Sequence, residues 1–132
     1  MILVIDANAA IEIVLKREKE KKFRELVEGS DKVISSEFYM IETSNVIRKY
    51  YQGKFIKKAD CGKILNYALN LVDEYIPVRE NYTEAFNESV RLNYPAYDML
   101  YLTLARNFGA TLATLDRGLN LIAKKEGITI VA

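Results

Sequence analysis

Residues 2–5 read Ile-Leu-Val-Ile, and the run stops on a carboxylate, Asp6. A short β-branched stretch between polar residues is the pattern of a strand buried on both faces. Helical segments and further strands then alternate to the end of the chain. Ala7 to Leu15 reads as helix, with Ile11 and Leu15 four apart. The periodicity carries on from Lys16 to Glu28 as a highly charged continuation of the same helix. There Glu18–Lys22 and Glu20–Arg24 are i,i+4 pairs in the favourable order, and Gly29 is the stop.

Val33–Ile34 predicts a second strand, and Ser35 or Ser36 caps a helix from Glu37 to about Tyr51 that ends at Gly53. From about Lys57 to Glu74, Ile64, Leu65, Ala68, Leu69 and Val72 share one helical face. Tyr75–Val78 predicts a third strand, and Asn81 caps a helix through Val90. Pro95 opens the next helix, whose body Met99–Ala105 is apolar nearly all round and therefore expected to be central. Gly109 ends it. Thr111–Leu115 predicts a fourth strand that runs into Asp116, followed by a helix through Lys125, a stop at Gly127 and a last strand at Ile128–Val131. Strands alternating with helices specify an α/β fold with a mainly parallel sheet between helical layers. At 132 residues without repeats or a linker, one domain over 1–132 is expected.

The chain has no histidine, which removes Ser–His and Cys–His nucleophile pairs and histidine zinc sites. Its one cysteine, Cys61, can make no internal disulfide, which suits a reducing compartment. The opening residues lack the basic lead-in and apolar core of a leader, and no apolar run approaches the roughly 18 residues of a membrane helix. A cytoplasmic protein with no membrane partner is expected. A net charge of +1 leaves nucleic-acid binding to local patches.

Any chemistry therefore rests on carboxylates, on Lys or Tyr, or on metal-bound water. Asp6 and Asp116 each stand at the carboxyl end of a predicted strand, the edge where open α/β sheets bind ligands. Helix N-capping is the plainer job for an Asp after a strand. Asp98 lies on the phase of a buried helical stripe with Tyr101, Leu102 and Ala105, and its plainer job is to offset the helix dipole. Glu42 shares a face with Asn45 and Val46, where a solvated Glu is the ordinary case. Four carboxylates gathered at one edge would need cations or raised pKa values, and oxygen-only donors suit Mg²⁺ or Mn²⁺. Attack of a metal-activated water on a phosphodiester is chemistry that these parts support without histidine.

The segments VIDAN at 4–8, EFYMIETSNVIRK at 37–49, YPAYDMLYLTLARNFGATLATLDRGL at 94–119 and ITIV at 128–131 resemble, in order and spacing, the PIN domain family, and more narrowly its VapC-type ribonuclease toxins. The resemblance covers essentially the whole chain. It implies a three-layer α/β/α sandwich with a mainly parallel sheet of four or five strands. It implies catalytic roles for Asp6, Glu42, Asp98 and Asp116, with Asp6, Asp98 and Asp116 holding the metal. Thr114 takes the place of the hydroxyl residue before the last Asp, Asn45 that of the polar partner on the Glu helix, and Asn8 stands where relatives mostly carry Ser or Thr. Met99 follows Asp98 where a smaller residue is usual. The resemblance further implies an RNA substrate, a small cognate antitoxin and a homodimer.

Two other readings start from the same residues. A PIN-like scaffold could bind RNA or protein without cutting. An aspartyl-phosphate phosphatase of the haloacid-dehalogenase kind would use Asp6, although such enzymes usually want a second Asp where Asn8 stands. Arg48, Lys49, Lys54, Lys57 and Lys58, interleaved with Tyr50, Tyr51 and Phe55, suit an RNA backbone and unstacked bases, or equally a solvated helix end. The Lys16–Arg24 run reads as a solvated face whose charges pair internally.

Overall fold

The computed structural model describes residues 1–131; Ala132, the last residue of the expected 1–132 span, lies outside them. Strand β1 (Ile2–Ile5) leads through α1 (Ala7–Val14) and α2 (Glu20–Gly29) to β2 (Lys32–Ser36), and α3 (Phe38–Gln52) and α4 (Lys58–Asn70) lead to β3 (Glu74–Ile76). Helices α5 (Val78–Leu92) and α6 (Ala96–Phe108) then lead to β4 (Thr111–Ala113), and α7 (Arg117–Lys125) follows. All pairings are parallel, in the order β3-β2-β1-β4. Val4 pairs with Ile34 on one side and Leu112 on the other.

Parallel crossovers are right-handed. The steps β1→β2→β3 move one way across the sheet, and the return from β3 to β4 passes β1 to its far side. The two sets of helices therefore cover opposite faces. Helices α1, α3 and α4 pack on one another, whereas α6 lies across β1, β2 and β4 and carries α5 and α7. The result is the three-layer α/β/α arrangement. Leu3, Val4 and Ile5 are wholly buried, which is why that run is apolar without alternation. Every residue of Met99–Ala105 is buried too, so the expected central helix is α6.

Four expectations are corrected. The continuous helix from Ala7 to Glu28 is broken at Leu15–Lys19, where Lys16 adopts a left-handed φ of 53°. The break is tied by Glu12: its carbonyl accepts from the Arg17 amide at 2.8 Å, and its carboxylate accepts from the Lys19 amide and from Arg17 Nε, both at 3.1 Å. Asn81 is not a cap. It lies inside α5, buried, and donates to the Leu100 carbonyl at 3.1 Å and to Thr103 Oγ1 at 2.8 Å, pinning α5 to α6. The expected last strand shrinks to one bridge, Leu112 with Ile130. Glu37, rather than Ser35 or Ser36, stands at the cap of α3 and makes no side-chain cap bond, while the Ser36 hydroxyl accepts from the Phe38 amide at 3.1 Å.

The break sets a sign that stability can test. A left-handed residue with a Cβ costs about 1 kcal/mol, and glycine relieves it, whereas glycine inside a helix costs a similar amount. Lys16→Gly should therefore raise unfolding stability in urea by roughly 0.5–1 kcal/mol; a loss of that size would restore the continuous helix.

Candidate active site

The direction change at β1 leaves a crevice at the carboxyl ends of β1 and β4, the usual ligand position in an open α/β sheet. Asp6 follows β1 directly, and Asp116 stands just past β4. Helix α3 leaves the carboxyl end of β2, so Glu42 is held near the same edge. Helix α6 lies on the sheet and turns into β4 at Gly109, which puts Asp98, in its first turn, at the opposite, carboxyl end. The fold thus brings the four carboxylates into one neighbourhood.

Asp6 and Asp116 are both caps and members of this cluster. Asp6 Oδ1 accepts from the Ala9 amide at 2.9 Å, and Asp116 Oδ1 accepts from the Leu119 amide at 3.0 Å. Thr114 links them. Its buried hydroxyl donates to Asp6 Oδ2 and accepts from the Asp116 amide at 3.1 Å. Asn8, exposed on the first turn of α1, lines two cavities of about 300 and 490 Å³, one with Asp116 and the other with Glu42 and Asn45. Asn45 is exposed one turn beyond Glu42, and its carbonyl oxygen accepts from Arg48 at 3.1 and 3.2 Å.

The carboxyls feel one another. Burial, with smaller contributions from Glu42 and Asp98, pushes the Asp6 carboxyl up to about 7 against the Thr114 and Ala9 hydrogen bonds. Burial, then Asp116 and Glu42, raises Asp98 to about 6. Burial also raises Glu42, opposed by the Tyr101 hydroxyl and the Ala7 amide. Sequence reasoning missed two tyrosines here. Tyr101 donates to Glu42 Oε1 at 2.8 Å, and Tyr94 donates to Asp116 Oδ1 at 2.6 Å. The Asp116 bond, the largest cause, raises the Tyr94 hydroxyl to about 12, so it stays a donor at neutral pH. A Cβ on Gly118 would collide with that hydroxyl, so the glycine admits it. Tyr101 carried a signal, its i+3 spacing from Asp98; Tyr94 carried none, because a loop delivers it.

An all-oxygen donor set of mutually repelling carboxylates fits Mg²⁺ or Mn²⁺ chemically. Among the described residues, however, no three such side chains converge on one ligation point. Coulombic coupling acts over several ångströms, whereas Mg²⁺ ligation requires about 2.1 Å, so the cluster can share a field without sharing a point.

Comparisons with known proteins agree with the architecture. A family model described as "PIN domain" matches residues 3–125. The fold is similar to PAE2754 from Pyrobaculum aerophilum, with 21% identity over 99% of this chain and 92% of that one and a TM-score of 0.75. It is also similar to VapBC2 from Rickettsia felis, solved bound to a DNA fragment from their promoter (17% identity, 98% and 97% covered, TM-score 0.68). A further neighbour is FitAcB from Neisseria gonorrhoeae (16% identity, 100% and 97% covered, TM-score 0.63). At these identities the likeness shows the fold alone. No curated protein matches the chain.

The raised carboxyls set the pH dependence of the fold. Between the ordinary 3.8 and about 7 for Asp6, the folded state holds a proton that the unfolded state has lost, so stability falls as pH rises through that window. Asp98 acts the same way up to about 6. The carboxyls of Asp31, Glu84 and Glu88 are lowered from 3.8 and 4.5, so their opposite contribution is already complete below pH 5.5. In chelator, the chain should be more stable at pH 5.5 than at pH 8 by about 2 kcal/mol from Asp6, a shift of several degrees in Tm. Asp6→Asn should flatten the trend, and an unchanged trend in that variant would discount the coupling.

Proposed function

The chain belongs to the PIN domain family, and on that premise we propose that it is a Mg²⁺- or Mn²⁺-dependent endoribonuclease, the toxin of a toxin–antitoxin pair. The observation that carries the reading is the coupled carboxylate cluster, Asp6, Glu42, Asp98 and Asp116, at the topological switch of the sheet in a chain without histidine. A non-cutting scaffold has no need of like charges held together at a cost in stability.

Asp6, Asp98 and Asp116 would hold the cation, directly or through water. When bound, it supplies positive charge to the phosphoryl oxygens and makes a neighbouring water more acidic. Thr114 locks Asp6 and the Asp116 backbone into one unit, while Tyr94 fixes which way the Asp116 carboxylate faces. Tyr101 engages one oxygen of Glu42 and the Ala7 amide also donates to the carboxylate, which orients the attacking water and takes its proton. The Asn8 amide, on the rim between the two cavities, donates to a substrate phosphate in place of a hydroxyl. Attack of water on phosphorus breaks the bond to the 3′ oxygen, which takes a proton from solvent to become a 3′-hydroxyl, and the phosphate stays on the 5′ oxygen of the next nucleotide.

The likeness to VapBC2 and FitAcB supports a small antitoxin as partner. Tyr82, Phe86 and Val90 form an exposed apolar row on α5, which suits contact with a second copy of the chain. Among the described residues, no helix is long and apolar enough to cross a membrane. With one cysteine, the chain fits a reducing, cytoplasmic setting.

Cleavage of RNA with Mg²⁺ or Mn²⁺ should fall at least a hundredfold, about 3 kcal/mol of barrier, in Asp6→Asn and in Asp98→Asn. Mn²⁺ should also raise the Tm of the wild type and not of these variants. Equal cleavage by all three proteins would reject the assignment, and an absent Tm shift at millimolar Mn²⁺ would favour the scaffold.

A further inference from the structure

The smaller cavity beside Asp116 contains a guanidinium that the carboxylate chemistry does not use. Asn8, Glu12, Arg17, Tyr50 and Asp116 all line this space of about 300 Å³. Arg17 enters it from the break between α1 and α2. Two features hold it there. Its Nε donates to Glu12 Oε2 at 3.1 Å, and its guanidinium carbon lies 5.3 Å from the centre of the Tyr50 ring. Tyr50 is in turn backed by Phe55 in an edge-on contact, with ring centres 5.8 Å apart.

This arrangement is costly to build. Glu12 is a charged residue only 6% exposed, and Lys16 adopts a left-handed backbone without being glycine. A helix continued through Lys16 would require neither. What the break achieves is placement. The Glu12 carboxylate and the Tyr50 face fix one edge and one face of the guanidinium. The side chain stays about half exposed, and no hydrogen bond engages its Nη1 or Nη2 among the described residues. Glu12 also competes with Asp116 for the cation: no ion pair joins Arg17 to Asp116, so Arg17 does not collapse onto the carboxylates. The pair brings almost no net charge to the crevice and still presents two parallel donors. A planar fork of that kind matches the oxygens of a phosphate.

We infer that Arg17, oriented by Glu12 and Tyr50, is a substrate-positioning residue that grips the RNA phosphate next to the one cleaved, on the Asp116 side of the site. The inference rests on the ribonuclease reading and adds a backbone subsite to it. Asn8 and Asp116 line the cavity together with Arg17, so it borders the carboxylate cluster. Lys49, in the larger cavity with Glu42, has no ion-pair partner among the described residues and is not held in this way.

The test is steady-state RNA cleavage with Mn²⁺ by wild type, Arg17→Ala, Arg17→Gln and Arg17→Lys, over a series of salt concentrations. Arg17→Ala and Arg17→Gln should raise KM roughly ten- to hundredfold with kcat within about threefold. Their plot of log KM against log salt should be shallower by roughly 0.7, one phosphate contact on a single strand. Arg17→Lys should restore the salt slope and only part of the affinity, because a point charge cannot make the forked contact. Thermal melting monitors the fold. Should Arg17→Ala melt low, Arg17→Gln carries the test, since its amide keeps a hydrogen bond to Glu12. Wild-type KM and slope in the Gln variant would overturn the subsite, as would a loss confined to kcat. A wild-type chain that neither binds nor cuts RNA would overturn both this inference and the ribonuclease reading.

Discussion

Strand β1 has a hydrogen-bonded neighbour on each side and helical layers on both faces, so it can tolerate no polar side chain until it ends. That requirement organises the rest of the molecule. It makes residues 2–5 apolar without alternation and places the first polar group of the chain at the carboxyl edge of the sheet. It also makes β1 the point where the chain changes direction, because β2 joins through helices on one face and β4 through helices on the other. The crevice opens at that point, and Asp6 is buried at the same edge.

The carboxylate cluster is held together against its own charge. Asp6, only 4% exposed, would be difficult to keep ionised without the Ala9 amide and the Thr114 hydroxyl, and its carboxyl still rises to about 7. Tyr101 and Tyr94 do for Glu42 and Asp116 what Thr114 does for Asp6: each donates one neutral hydrogen bond, which orients the carboxylate without cancelling its charge. Arg17 follows a different rule. It is a full cation near the same cluster, and a buried Glu12 keeps it from neutralising Asp116. Held by Glu12, this guanidinium leaves the negative field of the cluster uncancelled at Asp116.

Where reading the sequence failed, it failed for local reasons that tertiary contacts overrule. The charged run from Lys16 to Arg24 has good helical spacing, and the Glu20–Arg24 pair forms at 3.2 Å. Spacing carries no information about Glu12 folding back to accept three hydrogen bonds from the next turn, which ends α1 early. An Asn after a strand and before an amphipathic run looks like a cap, yet Asn81 is drawn into the α5–α6 contact because Thr103 and the Leu100 carbonyl require a donor there. The Ile128–Val131 run had the composition of a strand but makes only one bridge with β4, at Ile130.

The sequence by itself determined the α/β class, the position of most elements and the candidate carboxylates. Those properties follow from the period of apolar residues and from which polar residue ends each run, both local quantities. Tertiary structure alone decided the strand order, and with it the fact that Asp6 and Asp116 stand past the carboxyl ends of adjacent strands. It decided the hydroxyls that hold the carboxylates, since Tyr94 lies 22 residues before Asp116 and Tyr101 lies 59 beyond Glu42. It also decided that a buried glutamate would present Arg17 to the crevice. Partners that distant in sequence meet only when a sheet and two helical layers close around them, and no local periodicity encodes that meeting.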